Sequence, residues 1–191
     1  DQVIASAADH PSVFHPVERL KKQGIFFKEL PLSKNGSLDE GGFFNMLDRN
    51  EKLVILTHVN NQSGNIIDIC PLSLKIKKYS TDIHIHVDAA QRSTKIPISL
   101  RDAQIDSLAV SSHKIGGPKG IAGLFLYSQT NISPLLLGGG QENGMRSSTQ
   151  AAPLIFSFLE AAAYALNHMQ SSLKKVKKLN QLAREFLTQK I

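Results

Sequence analysis

The segment Ser111-Ser112-His113-Lys114-Ile115-Gly116-Gly117-Pro118-Lys119 follows the apolar run Ser107-Leu108-Ala109-Val110, so it places one lysine at the end of a buried strand beside a small-residue loop. An amine there is suited to imine formation, because a poorly hydrated pocket favours its unprotonated form. Earlier in the chain, His84-Ile85-His86-Val87-Asp88-Ala89-Ala90-Gln91 ends a second strand-like run in a carboxylate. A Schiff-base lysine needs such an acid close by if the cofactor is pyridoxal phosphate (PLP), since a carboxylate against the pyridine nitrogen keeps the ring protonated and makes it the better electron sink. Lys114 and Asp88 meet those two needs. Lys119 is the rival lysine, but it lies between Pro118 and Gly120 in an expected exposed turn.

The elements that must position these residues alternate short β-branched runs with amphipathic stretches, a pattern that predicts βαβ units and an α/β fold with a mainly parallel sheet flanked by helices. Strands are expected at 3–7, 25–30, 53–58, 83–87, 107–111 and 122–127, and helices at 11–23, 38–50 and 71–79. Asn35-Gly36 is a turn signal ahead of a Ser37 cap for the second helix. From Thr149 to about Gln189, Leu154, Phe158, Ala161, Ala165 and Leu166 follow helical spacing, continued more thinly by Leu173, Val176, Leu179, Leu182 and Phe186. That predicts a long C-terminal helix with a break near 170–172, leading out of a first unit at 1–150 into a second at 151–191.

In an open α/β sheet, ligands gather at the carboxyl ends of the strands. Four expected strands end there in polar clusters: Asp9 and His10; Asn60, Asn61 and Gln62; Asp88 and Gln91; and Ser111, Ser112, His113 and Lys114. Each has a plain structural alternative: His10 could cap the helix beginning at Pro11, His113 could be a strand-end histidine, and Thr149 could cap the long helix. Their coincidence at one edge is what argues for a site. His84 and His86 alternate on a strand and could hold a metal with Asp88, but no fourth ligand has the right spacing, so no metal is expected. Gly138-Gly139-Gly140 has neither the Walker nor the dinucleotide spacing.

Composition bounds the rest. The 191 residues are 41% hydrophobic and 20% charged, as in ordinary globular domains. The net charge of +6 owes much to Lys174-Lys175-Val176-Lys177-Lys178, read as a solvated helix face rather than a nucleic-acid surface. Cys70 is the one cysteine, which excludes an internal disulfide and fits a reducing compartment. It precedes Pro71 at a helix start and reads as a packed thiol. No apolar stretch reaches about 18 residues and no leader precedes the first strand, so a cytoplasmic protein with no membrane segment is expected. The chain begins at Asp1 with a strand already under way, as in a piece of a longer chain.

The segments 111–120, His86-Val87-Asp88-Ala89-Ala90-Gln91, Thr57-His58-Val59-Asn60-Asn61, Gly138-Gly139-Gly140-Gln141-Glu142-Asn143-Gly144-Met145-Arg146-Ser147-Ser148-Thr149 and 4–13 together resemble, in order and spacing, the signatures of cysteine desulfurases in the class-V aminotransferase branch of PLP enzymes. The resemblance implies the large domain of a PLP-dependent transferase of fold type I, with the long helix leading toward a small domain. It implies that Lys114 carries the cofactor as an imine and that Asp88 pairs with the pyridinium nitrogen. His10 would stack on the ring and assist proton transfer, and Asn61 and Gln91 would hydrogen-bond the phenolic-oxygen side. Ser111 and His113 would hold the phosphate, together with Thr149 donated from the neighbouring subunit of a homodimer. The substrate implied is L-cysteine, converted to L-alanine while sulfur passes as persulfide to an acceptor or iron–sulfur scaffold protein.

Departures from the family's pattern are Asp9 and Gln62 where glutamate is usual, and Ser148 where glycine is common. The sulfur-accepting cysteine and the arginine for the substrate carboxylate would lie beyond residue 191, and further phosphate contacts before residue 1. By this reading the 191 residues alone are inactive and carry the cofactor half of the enzyme. The alternatives are another class-V PLP enzyme, such as a selenocysteine lyase or an aminotransferase, or a truncated non-catalytic homologue.

Overall fold

The computed structural model describes residues 1–190 except 98, 100, 128, 129 and 131. Six strands form one sheet in the order β2-β1-β3-β4-β5-β6: β1 (Gln2–Ala5), β2 (Phe26–Glu29), β3 (Glu51–Thr57), β4 (His84–Asp88), β5 (Ser107–Ser111) and β6 (Ala122–Leu126). The first five pair in parallel and β6 closes the edge antiparallel to β5, so the expected mainly parallel α/β architecture is found.

Side chains alternate across the strands with period two and split the core into two layers. Ile4, Val54, Leu56, Ile85, Val87 and Leu108 point toward α3 (Ile69–Tyr79) and the short α2 (Glu40–Asn45), where Phe43, Ile69, Leu72 and Ile76 meet them. Val3, Ala5 and Ile55 face α1 (Pro11–Lys22) through Val13 and Val17. Each such fully buried aliphatic side chain is worth about 1.5–3 kcal/mol.

The chain leaves β1 for β2 on one side, then returns past β1 to β3 and proceeds through β4 and β5 on the other. Strand order therefore reverses between β1 and β3, and the loops leaving their carboxyl ends diverge to opposite faces. A crevice opens at such a switch point, and it is where ligands of open α/β sheets bind.

Three local expectations are corrected. The second helix runs from Glu40 to Asn45 rather than over 38–50, because Leu38 is engaged in a bridge with Leu32. Its cap is Asp39, whose carboxylate accepts the Gly42 N–H at 3.0 Å, and not Ser37. The long helix is two helices, α4 (Ala152–Asn167) and α5 (Met169–Lys190), interrupted at His168 rather than at 170–172. There the His168 ring stacks on Tyr164 at 4.2 Å and its Nδ1 lies 2.8 Å from the Tyr164 carbonyl, which also accepts the His168 N–H at 3.1 Å. α4 begins after Ala151 with no side-chain cap, so Thr149 does not cap it.

Candidate active site at the carboxyl edge of the sheet

Asp88 is the last residue of β4 and stands in register with Thr57 of β3 and Ala109 of β5. Its Oδ1 accepts the Ala90 N–H at 2.9 Å, which orients the carboxylate at the start of the turn 89–96. Gln91, half-buried, sits in that turn.

Lys114 follows from the next strand. β5 passes directly into a 3₁₀ turn, Ser112–Ile115, which ends in Gly116 at φ +89°, a left-handed conformation that glycine adopts without a Cβ penalty. The tight turn anchors on Ser112, which is fully buried, and leaves His113 and Lys114 exposed beyond the edge. Ser111 Oγ lies 3.4 Å from His113 Nδ1, so these two expected phosphate ligands adjoin one another.

On the other side of the switch point, His10 is the N-cap of α1: its Nδ1 accepts the Ser12 N–H at 3.2 Å and lies 2.8 Å from Ser12 Oγ. The capping alternative is therefore realised, and it leaves Nε2 available. In the loop after β3 the two asparagines divide the work. Asn60 is structural, since its Oδ1 accepts the N–H groups of Gln62 and Ser63 and its Nδ2 donates to the Ala8 carbonyl at 3.0 Å, tying this loop to the one after β1. Asn61 is exposed beside it.

Electrostatics link these loops. Burial raises the Asp9 carboxyl above its ordinary range, partly offset by the nearby Thr57 hydroxyl and the hydrogen bond from the Ser6 amide, and the charge of Asp88 pushes it further up. Lys95, in the loop after β4, is lowered by burial and then by the charge of Lys114. Lys95 was not anticipated from sequence, because no motif marks it; its place four residues after Gln91 was the available signal. Arg92 in the same loop is 5% exposed and forms no ion pair among the described residues; burial lowers it to about 10.

Thr149 stands apart. It is exposed and lines a shallow depression with Leu136, Gly138, Gln141 and Ser147, not the crevice of the other candidates. The residue before it, Ser148, has φ +125°, a backbone conformation suited to glycine, where the resemblance places one. Cys70 is the second residue of α3, half-buried against the core, as expected of a packed thiol.

An open, mainly parallel sheet with an amine and a carboxylate on adjacent strand ends defines the large-domain architecture of PLP-dependent transferases of fold type I, and solved structures bear this out. A NifS-like protein superposes with a TM-score of 0.94 at 30% identity, covering 98% of this chain and 52% of its own. The structure described as "SspA in complex with cysteine" gives 0.80 at 32% identity, over 85% of this chain and 47% of that one. The chain belongs to the aminotransferase class-V family, whose model matches residues 1–191. Among curated relatives, a cysteine desulfurase of Nostoc sp. is 33% identical over 189 residues, which is 99% of this chain and 47% of that protein. The cysteine desulfurase IscS of Dictyoglomus turgidum is 33% identical over 177 residues, covering 93% and 44%. The chain thus spans about half the length of the curated relatives it matches.

The family is PLP-dependent, and the donor set at this edge fits that cofactor. It offers an amine for the aldehyde, a carboxylate for the ring nitrogen, amide side chains for the phenolic oxygen, and a hydroxyl with an adjoining imidazole for the phosphate.

Proposed function

We propose that these residues form the cofactor-binding part of a cysteine desulfurase, which takes sulfur from L-cysteine and releases L-alanine. The observation that supports this reading is that Asp88 ends β4 in register with Ala109 of β5, two residues before Ser111 and the turn bearing Lys114, at the carboxyl edge where the loops after β1 and β3 carry His10 and Asn61. The curated relatives at 33% identity that bear this name support the choice of reaction.

When bound, PLP supplies the electron sink on which bond breaking at the substrate α-carbon depends. Lys114 Nζ would attach it, and Asp88 would hold a proton at its ring nitrogen. Asn61 and Gln91 would orient it from the phenolic side, and Ser111 and His113 would take the phosphate. His10 would stack on the ring, and with its Nδ1 committed to the α1 cap, its Nε2 would be the nitrogen left to move protons together with Lys114 Nζ. The positive φ of Ser148 and the exposure of Thr149 fit a loop that completes the phosphate site of a second subunit in a homodimer. Residues 1–150 then form the large-domain portion and 151–191 the connecting helices toward a small domain. Sulfur passes to an acceptor or iron–sulfur scaffold protein in the cytoplasm, through residues outside these 191.

The test is product analysis on the full-length protein supplied with PLP and L-cysteine. Equal release of sulfide, under reductant, and alanine supports the desulfurase. A keto acid in place of alanine would make it an aminotransferase, and preference for selenocysteine a lyase of that substrate.

A further inference from the structure

Ser107, the first residue of β5, is 1% exposed, and its hydroxyl is approached by two histidines from the neighbouring strand. Its Oγ lies 2.7 Å from His84 Nε2 and 2.8 Å from His86 Nδ1. His84, His86 and Asp88 alternate along β4, so all three share one face of the sheet. The network therefore lies on the same face of β4 as the carboxylate assigned to the cofactor's ring nitrogen, with His86 two residues before it.

Proton counting restricts how the three groups bond. Burial holds both imidazoles below their ordinary pKa, so at neutral pH each ring carries a single proton. Two N–H groups aimed at Oγ would leave the buried Ser107 proton without an acceptor, and two bare nitrogens would compete for it. One ring must donate to the hydroxyl and the other accept from it.

The charges decide the direction. Asp88 and His84 act on His86, while Asp106 and Lys77 act on His84. The Asp106 carboxylate is already matched by Lys77 Nζ at 2.8 Å and by the Ile85 N–H at 2.7 Å. The Asp88 carboxylate accepts the Ala90 N–H alone among the described hydrogen bonds, so its field is the less compensated. A negative charge beside His86 favours a proton on the ring nitrogen that Ser107 does not engage.

We propose that the chain runs from His84 Nε2–H to Ser107 Oγ–H to His86 Nδ1, fixing His86 as the tautomer that offers an Nε2–H on the Asp88 face of the strand. His86, Ser107 and His84 are then positioning residues for Asp88, a role that rests on the reading of Asp88 given above. They act as outer-shell partners that fix tautomer and orientation do at metal sites.

Nitrogen-15 NMR of the histidine rings in cofactor-free full-length protein tests the network. Expected are neutral His84 and His86 rings both protonated at Nε2, with His86 Nδ1 showing the shift of a hydrogen-bond acceptor. Ser107→Ala moves that Nδ1 signal toward a free imidazole nitrogen, and His84→Phe moves it the same way by less, because the hydroxyl is no longer polarised by an incoming donor. A His86 proton on Nδ1, or a His86 signal unmoved by Ser107→Ala, overturns the proposal. In cofactor-loaded protein, Ser107→Ala is expected to shift the pH midpoint of the cofactor absorbance, which a purely structural role would leave in place; an unshifted midpoint overturns the link to Asp88. Failure of the cofactor reading itself appears separately, as no loading in the wild type.

Discussion

The backbone N–H of His58 donates to the carbonyl of Asp88 at 3.0 Å, just past the register pair Thr57 and Asp88, and the next amide, Ala89, donates to the Ala109 carbonyl at 2.9 Å. The residue carrying the acid is thereby clamped to the strands on both sides. Its carboxylate is presented from backbone held on both sides, as the role proposed for it at the cofactor's ring nitrogen requires.

Asp88→Asn keeps the shape and the clamp while removing the charge. A hydrogen bond to a charged group contributes about 1.5–3 kcal/mol. Cofactor affinity or turnover is therefore expected to fall by about 10-fold to 100-fold with the melting temperature unchanged, measured by spectrophotometric titration and product release.

Gly116→Ala introduces a Cβ at φ +89°, a conformation that costs an L-residue about 1–2 kcal/mol. Space is not the obstacle, since nothing lies within 4 Å of that Cβ. Denaturant unfolding is expected to show that loss, and because the strain falls on the turn presenting Lys114, cofactor loading should fall with it.

His58 is 5% exposed, and burial followed by the charge of Arg92 lowers its pKa to about 4. Its folded value lies below that of the unfolded chain, about 6.5. Between these values the unfolded state binds a proton that the folded state refuses, so stability falls as pH drops from about 6.5 to 4. The difference between the two values limits the loss attributable to His58 to at most about 3 kcal/mol. His58→Gln should flatten the slope of stability against pH in that window.

Much of this was legible in the sequence because the signals were local. The β-branched runs, the polar residue after each run, and the small-residue loop after Lys114 each constrain a few neighbouring positions, and the sheet brings them together without adjustment. Where a long-range contact competed, local patterns misled. The bridge between Leu32 and Leu38 withdrew the start of α2 from Ser37 to Asp39, and the helix break falls at His168, whose ring stacks on Tyr164. Asn60 and Asn61 could be told apart only once the Ala8 carbonyl was seen to take Asn60. Lys95 and the Ser107 network had no motif, because they depend on which residues face one another across strands and loops.

The most direct measurement is borohydride reduction of the full-length, PLP-loaded protein followed by peptide mass mapping. Reduction makes a lysine–cofactor bond permanent, and the account expects the adduct on Lys114, lost in Lys114→Ala. An adduct on Lys95 or Lys119, or none at all, would contradict it.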